Sequence, residues 1–91
     1  MGISYDAEKR DWTLRERGLD FDDAVHVLAG TTIDFIDDRK NYGEVRWLSF
    51  GHLVGRLLVV VWTQRDDARH IISMRKANER EQEKFERQLG S

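Results

Sequence analysis

Arg69-His70-Ile71-Ile72-Ser73-Met74-Arg75-Lys76-Ala77-Asn78 is the stretch on which the fold turns. Its apolar, β-branched centre predicts a strand from Arg69 to Met74. The densely charged segment from Ala77 to about Leu89 predicts a terminal helix. Side chains alternate on a regular strand, so Arg69, Ile71, Ser73 and Arg75 are expected on one face. His70, Ile72 and Met74 are expected on the other, towards the helices.

The strands this stretch can join lie upstream. Arg65-Asp66-Asp67-Ala68 reads as a tight turn, and Arg56 to Gln64 contains Leu57-Leu58-Val59-Val60-Val61-Trp62. An apolar run without alternation is buried on both faces, which predicts the central strand. Glu44 to Phe50 reads as a further strand, followed by a turn from Gly51 to Gly55. Thr32 to Ile36 is β-branched and aromatic, and a polar loop runs from Asp37 to Gly43. Before Gly30 the period is helical. Asp6 is a candidate N-cap for a helix from Ala7 to Arg17 that ends at Gly18. Its narrow apolar stripe is Ala7, Trp12 and Leu14. Asp20 starts a second helix, with Phe21, Ala24, Val25 and Leu28 at helical spacing. Gly2 to Tyr5 is an edge strand. The expected architecture is βααββββα. It is an α+β fold with a mostly antiparallel sheet, an N-terminal αα-hairpin, a C-terminal helix, and the helices on one sheet face.

The chain has 91 residues, which fit one small domain over positions 1–91. The final Gly90-Ser91 stays outside the fold argument. Without cysteine there is no disulfide, zinc-thiolate or thiol nucleophile. The first residues form no long apolar run, so no signal peptide and a cytoplasmic location are expected. Leu57 to Trp62 is far too short to span a bilayer, so no membrane partner is expected. The net charge of −2 is unevenly spread: residues 1–44 carry six Lys/Arg against eleven Asp/Glu, residues 45–91 nine against six. A mildly acidic total argues against a generic nucleic-acid coat but leaves room for a local basic site.

The arginines are the residues with chemistry to offer. Arg69 and Arg75 on one strand face, with Arg65 just before and Arg46 opening a neighbouring strand, suit phosphate, since each guanidinium can donate two hydrogen bonds to one phosphate group. Spacing alone also allows the commoner reading, solvated surface charges. His26 (on a helix), His52 (in a turn) and His70 (pointing inward) have no metal-ligand spacing and read as structural. Glu44, beside Tyr42 and Gly43, is read as an arginine partner rather than a base. Trp12, Trp47 and Trp62 read as core, with Trp47 the one that could stack a base because it follows Arg46. In the last helix Glu83 and Arg87 form a favourable pair, and Phe85 with Leu89 gives a thin apolar stripe suited to docking or to a partner.

Four segments together resemble the BrnT family of bacterial type II toxins, which have a RelE-like fold. They are Tyr5-Asp6-Ala7-Glu8-Lys9, Glu16-Arg17-Gly18-Leu19-Asp20-Phe21, Asn41-Tyr42-Gly43-Glu44-Val45-Arg46-Trp47, and Arg69 to Ala77. The resemblance runs from about Ile3 to Phe85 and rests on their order and spacing. It implies an endoribonuclease that inhibits translation by cutting RNA, with neither metal nor cofactor. The 2′-hydroxyl attacks the adjacent phosphorus and basic residues stabilise the phosphorane. It also implies a BrnA-like ribbon-helix-helix antitoxin, through which alone operator DNA would be bound. On that resemblance Arg69, Arg75, Arg46 and Arg65 are the expected catalytic residues. Lys9, Arg17, Trp47, Ser73 and Lys76 are the expected substrate contacts. Many relatives read Lys-His-Gly where this chain has Glu16-Arg17-Gly18, so the proton-transfer group stays open. The alternative is a toxin-like module without catalysis, acting as co-repressor with its antitoxin. A free-standing nucleic-acid binder is a third reading.

Overall fold

The computed structural model describes residues 2–90; Met1 and Ser91 lie outside the described residues. The strands are β1 (Gly2–Tyr5), β2 (Thr32–Ile36), β3 (Trp47–Leu53), β4 (Arg56–Arg65) and β5 (Ala68–Lys76). The helices are α1 (Ala7–Arg17), α2 (Ala24–Ala29) and α3 (Glu79–Gly90), with a 3-10 turn at Phe21–Asp23 before α2. The strands form one mixed sheet in the order β1-β5-β4-β3-β2. β1 is an edge strand that runs parallel to β5, and all other pairs are antiparallel.

The unbroken apolar run makes β4 the central strand, and its alternate residues feed two separate cores. Leu58 and Val60 join Leu19, Phe21, Ala24, Val27, Ile71 and Met74 under α2 and the 3-10 turn. Leu57 and Val59 join Phe50, Ala77 and Phe85 under α3. Helices therefore cover both faces, not one as expected. A strand that is apolar on both sides needs a cover on both.

Asp6 caps α1 by accepting from the Glu8 amide at 2.9 Å, and Gly18 ends it at φ 68°. The predicted apolar stripe of α1 is not what docks. Trp12 and Leu14 are 46% and 42% exposed, and the buried residue is Thr13. Instead Arg10 forks onto Asp20 at 2.9 and 2.8 Å and ties α1 to the following turn. α1 rests on β5 and α2 on β3, each against the sheet, rather than as the expected αα-hairpin. At Gly51 a Cβ would lie 3.0 Å from a Val27 methyl and 3.1 Å from a Thr32 methyl, so α2 lies flush on β3 there.

β3 starts later than expected, at Trp47, and continues through Gly51 and His52 to Leu53. His52 is thus a strand residue. The turn that follows is only Val54-Gly55, with φ of 48° and 75° at its two positions. Positive φ at both is the geometry that matches strand twist in a two-residue hairpin.

β5 contains the decisive irregularity. Val61 pairs with Ser73 but Trp62 pairs with Ile71, leaving Ile72 unpaired in a β-bulge. One extra residue reverses the phase of everything before it.

Candidate functional site

The bulge separates the arginines that regular alternation put together. Ser73 and Arg75 pair with Val61 and Val59, on the face that carries α3. Arg69 pairs with Gln64, two residues from the Ile71–Trp62 pair and so on the same face, that of the N-terminal helices. Its guanidinium lies 4.8 Å from the Trp62 ring centroid, and its Nε is buried with no partner among the described residues. His70 pairs with Thr63 and so faces the Arg75 side, opposite to the expectation.

On that side the sheet is only partly covered by α3, and the remainder is a groove of about 480 Å³. Four arginines (Arg17, Arg39, Arg46, Arg75) and two carboxylates (Asp37, Glu81) line it, with Leu48, Val61, Ile72 and Ser73. Arg75 comes from β5 after the bulge. Arg46 sits immediately before β3. Arg17 is the last residue of α1 and donates to the Met74 carbonyl at 2.8 Å. That carbonyl is on the part of β5 beyond the end of β1, so α1 covers the strand edge there. Arg39 belongs to the loop 37–46, which the Asp37 amide closes by donating to the Arg46 carbonyl at 2.8 Å.

Internal carboxylates hold three of the four arginines in place. Arg75 donates two bonds to Glu81 at 2.8 and 2.9 Å. Glu81 also accepts from the Asn78 amide at 2.9 Å while Asn78 caps the Glu81 amide at 2.8 Å, a reciprocal capping box at the start of α3. Arg39 forks onto the buried Asp37, both bonds 2.7 Å, and this holds the Asp37 carboxyl down at about 2 against the opposing effect of burial. Arg46 donates through Nε to Glu44 at 3.1 Å and lies 4.0 Å over the Tyr42 ring. Among the described residues its two terminal nitrogens have no hydrogen-bond partner. Hydrogen bonding from Arg46 lowers the Glu44 pKa, and hydrogen bonding from Arg75 lowers that of Glu81. The groove thus keeps an excess of fixed positive charge with forked donors, the arrangement that receives phosphate.

A family model for the ribonuclease toxin, BrnT, of type II toxin-antitoxin systems matches residues 5–81. The chain belongs to the BrnT family. Members are ribonuclease toxins of type II toxin-antitoxin systems, and membership implies an antitoxin partner and an RNA substrate. No curated protein matches the chain.

Within this BrnT-family chain the expected site residues divide. The groove brings together Arg75, Arg46, Arg17 and Ser73. Arg65 stands at its margin, exposed, reaching Glu44 at 3.4 Å. Arg69 and Trp47 are on the opposite face, where Trp47 stacks on Trp62 at 6.1 Å. Lys76 pairs with Leu58 on that face too, and Lys9 is exposed on α1. Glu81, Asp37 and Arg39 escaped sequence reasoning. Asn78-x-x-Glu81 had the capping-box spacing that points to Glu81, whereas Asp37 and Arg39 in a polar loop carried no such signal. No helix among the described residues is long and apolar enough to cross a membrane.

Proposed function

We propose that the protein is a cytoplasmic endoribonuclease toxin that cuts RNA in the Arg75 groove without metal and is neutralised by a BrnA-like antitoxin. A RelE-like fold and a single domain over residues 1–91 belong to the same reading. The observation that carries it is the four-arginine groove in a chain of the BrnT family. An incoming phosphate exchanges with Glu81 for the fork of Arg75, and the free nitrogens of Arg46 add a second point of contact. The substrate's 2′-hydroxyl attacks phosphorus, the O5′ bond breaks, and the groove's arginines neutralise the crowded phosphorane. Arginine stays protonated and cannot take the 2′-hydroxyl proton. Asp37 is sealed and locked to Arg39, and among the described residues no histidine lines the groove. Glu81, freed from Arg75, regains basicity at that moment, and we assign it the 2′-hydroxyl proton; the departing O5′ takes a proton from solvent.

The test compares purified wild type with Arg75→Ala and Glu81→Gln on RNA. Arg75→Ala is expected to lose about 10²–10³ in kcat/KM, the cost of one transition-state donor. Glu81→Gln keeps the capping box, so α3 stays in place. It is expected to lower KM, because the fork of Arg75 is unoccupied, and to lower kcat by about 10²-fold, as for a removed general base. Equal activity of wild type and Arg75→Ala would defeat the proposal.

A further inference from the structure

Beside the arginine groove lies a second cavity, a slot of about 230 Å³ between α3 and the sheet. Leu48, Phe50 and Phe35 line it from the sheet, and Phe85 lines it from α3. The rings of Phe35 and Phe50 meet edge to face, 5.7 Å apart at 88°. The rim is polar: Gln88 and Lys84 stand on the same helix face as Phe85, and the Lys84 ammonium sits 5.5 Å from the Phe35 centroid. Two residues, Leu48 and Glu81, line both this slot and the arginine groove. The cavities are therefore neighbours across a common wall.

We infer that this slot holds one nucleobase of the RNA strand whose phosphate lies on Arg75, and that Phe35 holds the base while Gln88 sets base preference there. The inference deepens the RNA-cleavage reading and takes its ligand class from it. Size comes first: the slot is smaller than the ~300 Å³ at which ordinary small-molecule sites begin, and has room for little beyond one planar ring system. Chemistry comes second. Aromatic walls accept the π-face of any base. A carboxamide such as that of Gln88 offers a donor and an acceptor side by side, the pattern that reads a base edge. Charge comes third, since Lys84 at the mouth complements the phosphate that follows the base. Continuity decides the occupant. A strand with a phosphate replacing Glu81 on Arg75 passes the shared wall, and only a base needs to turn inward.

The experiment uses full-length protein and a set of 2′-O-methyl oligoribonucleotides, each lacking one base, so binding is read without cleavage. In wild type one abasic position is expected to weaken binding about tenfold. Phe35 is 37% exposed, so Phe35→Ala should keep the fold; in that variant the same abasic position should make no difference. Gln88→Ala, at an exposed position on the slot's rim, should keep the affinity within a few-fold but flatten the preference among the four bases at that position. Identical abasic profiles for wild type and Phe35→Ala overturn the inference. So does a Phe35→Ala variant that loses only antitoxin binding, which would make the slot a protein-docking surface. If the abasic signature holds while no RNA is cut, the slot stands and the enzymatic reading falls.

Discussion

Arg69 and Arg75 carry the same guanidinium on the same strand in opposite surroundings. Arg75 has a carboxylate that aligns its fork at the edge of an open groove. Arg69 lies between Trp62 and α2, and its Nε is buried without a hydrogen-bond partner among the described residues. Leaving a buried donor unpaired costs about 1–3 kcal/mol, while a cation over a ring returns about 0.5–1 kcal/mol. The first effect is larger. Arg69→Met keeps a long side chain against Trp62 and removes the orphaned donor. It should raise the melting temperature and leave RNA cleavage within about twofold. A thermal melt and a cleavage assay on the same preparation check both parts, and a cleavage loss matching that of Arg75→Ala would return Arg69 to the active site. Nothing in the residue types marks this difference. Both arginines fit the same period-two pattern, and only the phase of the strand separates them.

That phase belongs to β5, and it turns on Ile72. The bulge re-aims Ser73 and Arg75 into the groove while Ile71 and Met74 both remain fully buried on the α2 side. Without Ile72, Ser73↔Val61 and Ile71↔Trp62 would become consecutive pairs of a regular ladder, and every side chain would keep its present face. Deleting Ile72 is therefore expected to leave a folded protein, at a cost of about 1 kcal/mol for one half-buried aliphatic side chain. The groove, which Ile72 helps to line, should suffer more: RNA binding is expected to weaken well beyond what a urea midpoint lowered by at most about 1 M accounts for. An unfolded deletion variant would show that the bulge itself holds β5 in the sheet. Elements were legible where local chemistry decides them. Asp6 and Gly18 bracket α1, and the unbroken run Leu57–Trp62 announced the central strand. A bulge at isoleucine leaves no such mark, because no glycine or proline flags it. With the phase lost, Arg69 was placed on the Arg75 face, which it does not share, and His70 on the opposite face from Arg75, with which it shares one. Arg46, Ser73 and Arg75 line one groove because Ser73 and Arg75 lie on the C-terminal side of the bulge and Arg46 on another element.

For the molecule as a whole, the titrating groups pull in one direction on the acid side. Asp20, Asp37, Glu44 and Glu81 each sit below the ordinary carboxylate range, in every case first through a hydrogen bond from an arginine, and Asp37 reaches about 2. His70 is pushed below its usual value, first by burial and then by the charge of Arg65. All five bind protons more readily in the unfolded chain. Their contribution is complete above the unfolded pKa and is lost as pH falls towards the folded one. The histidine window opens near pH 6.5 and the carboxylate window near pH 4. Tyr5 works at the other end. Its bond to Asp22 raises it, so its contribution holds below about pH 10 and is lost above. The urea midpoint should therefore be flat from about pH 7 to 9, slope gently downward from about pH 6.5, and drop steeply below about pH 4. His70→Asn, which can keep the hydrogen bond to Ser4, should remove the gentle limb and leave the steep one. A midpoint that rises on acidification, or a gentle limb that survives in His70→Asn, would contradict this account of what the half-buried histidine and the paired carboxylates do.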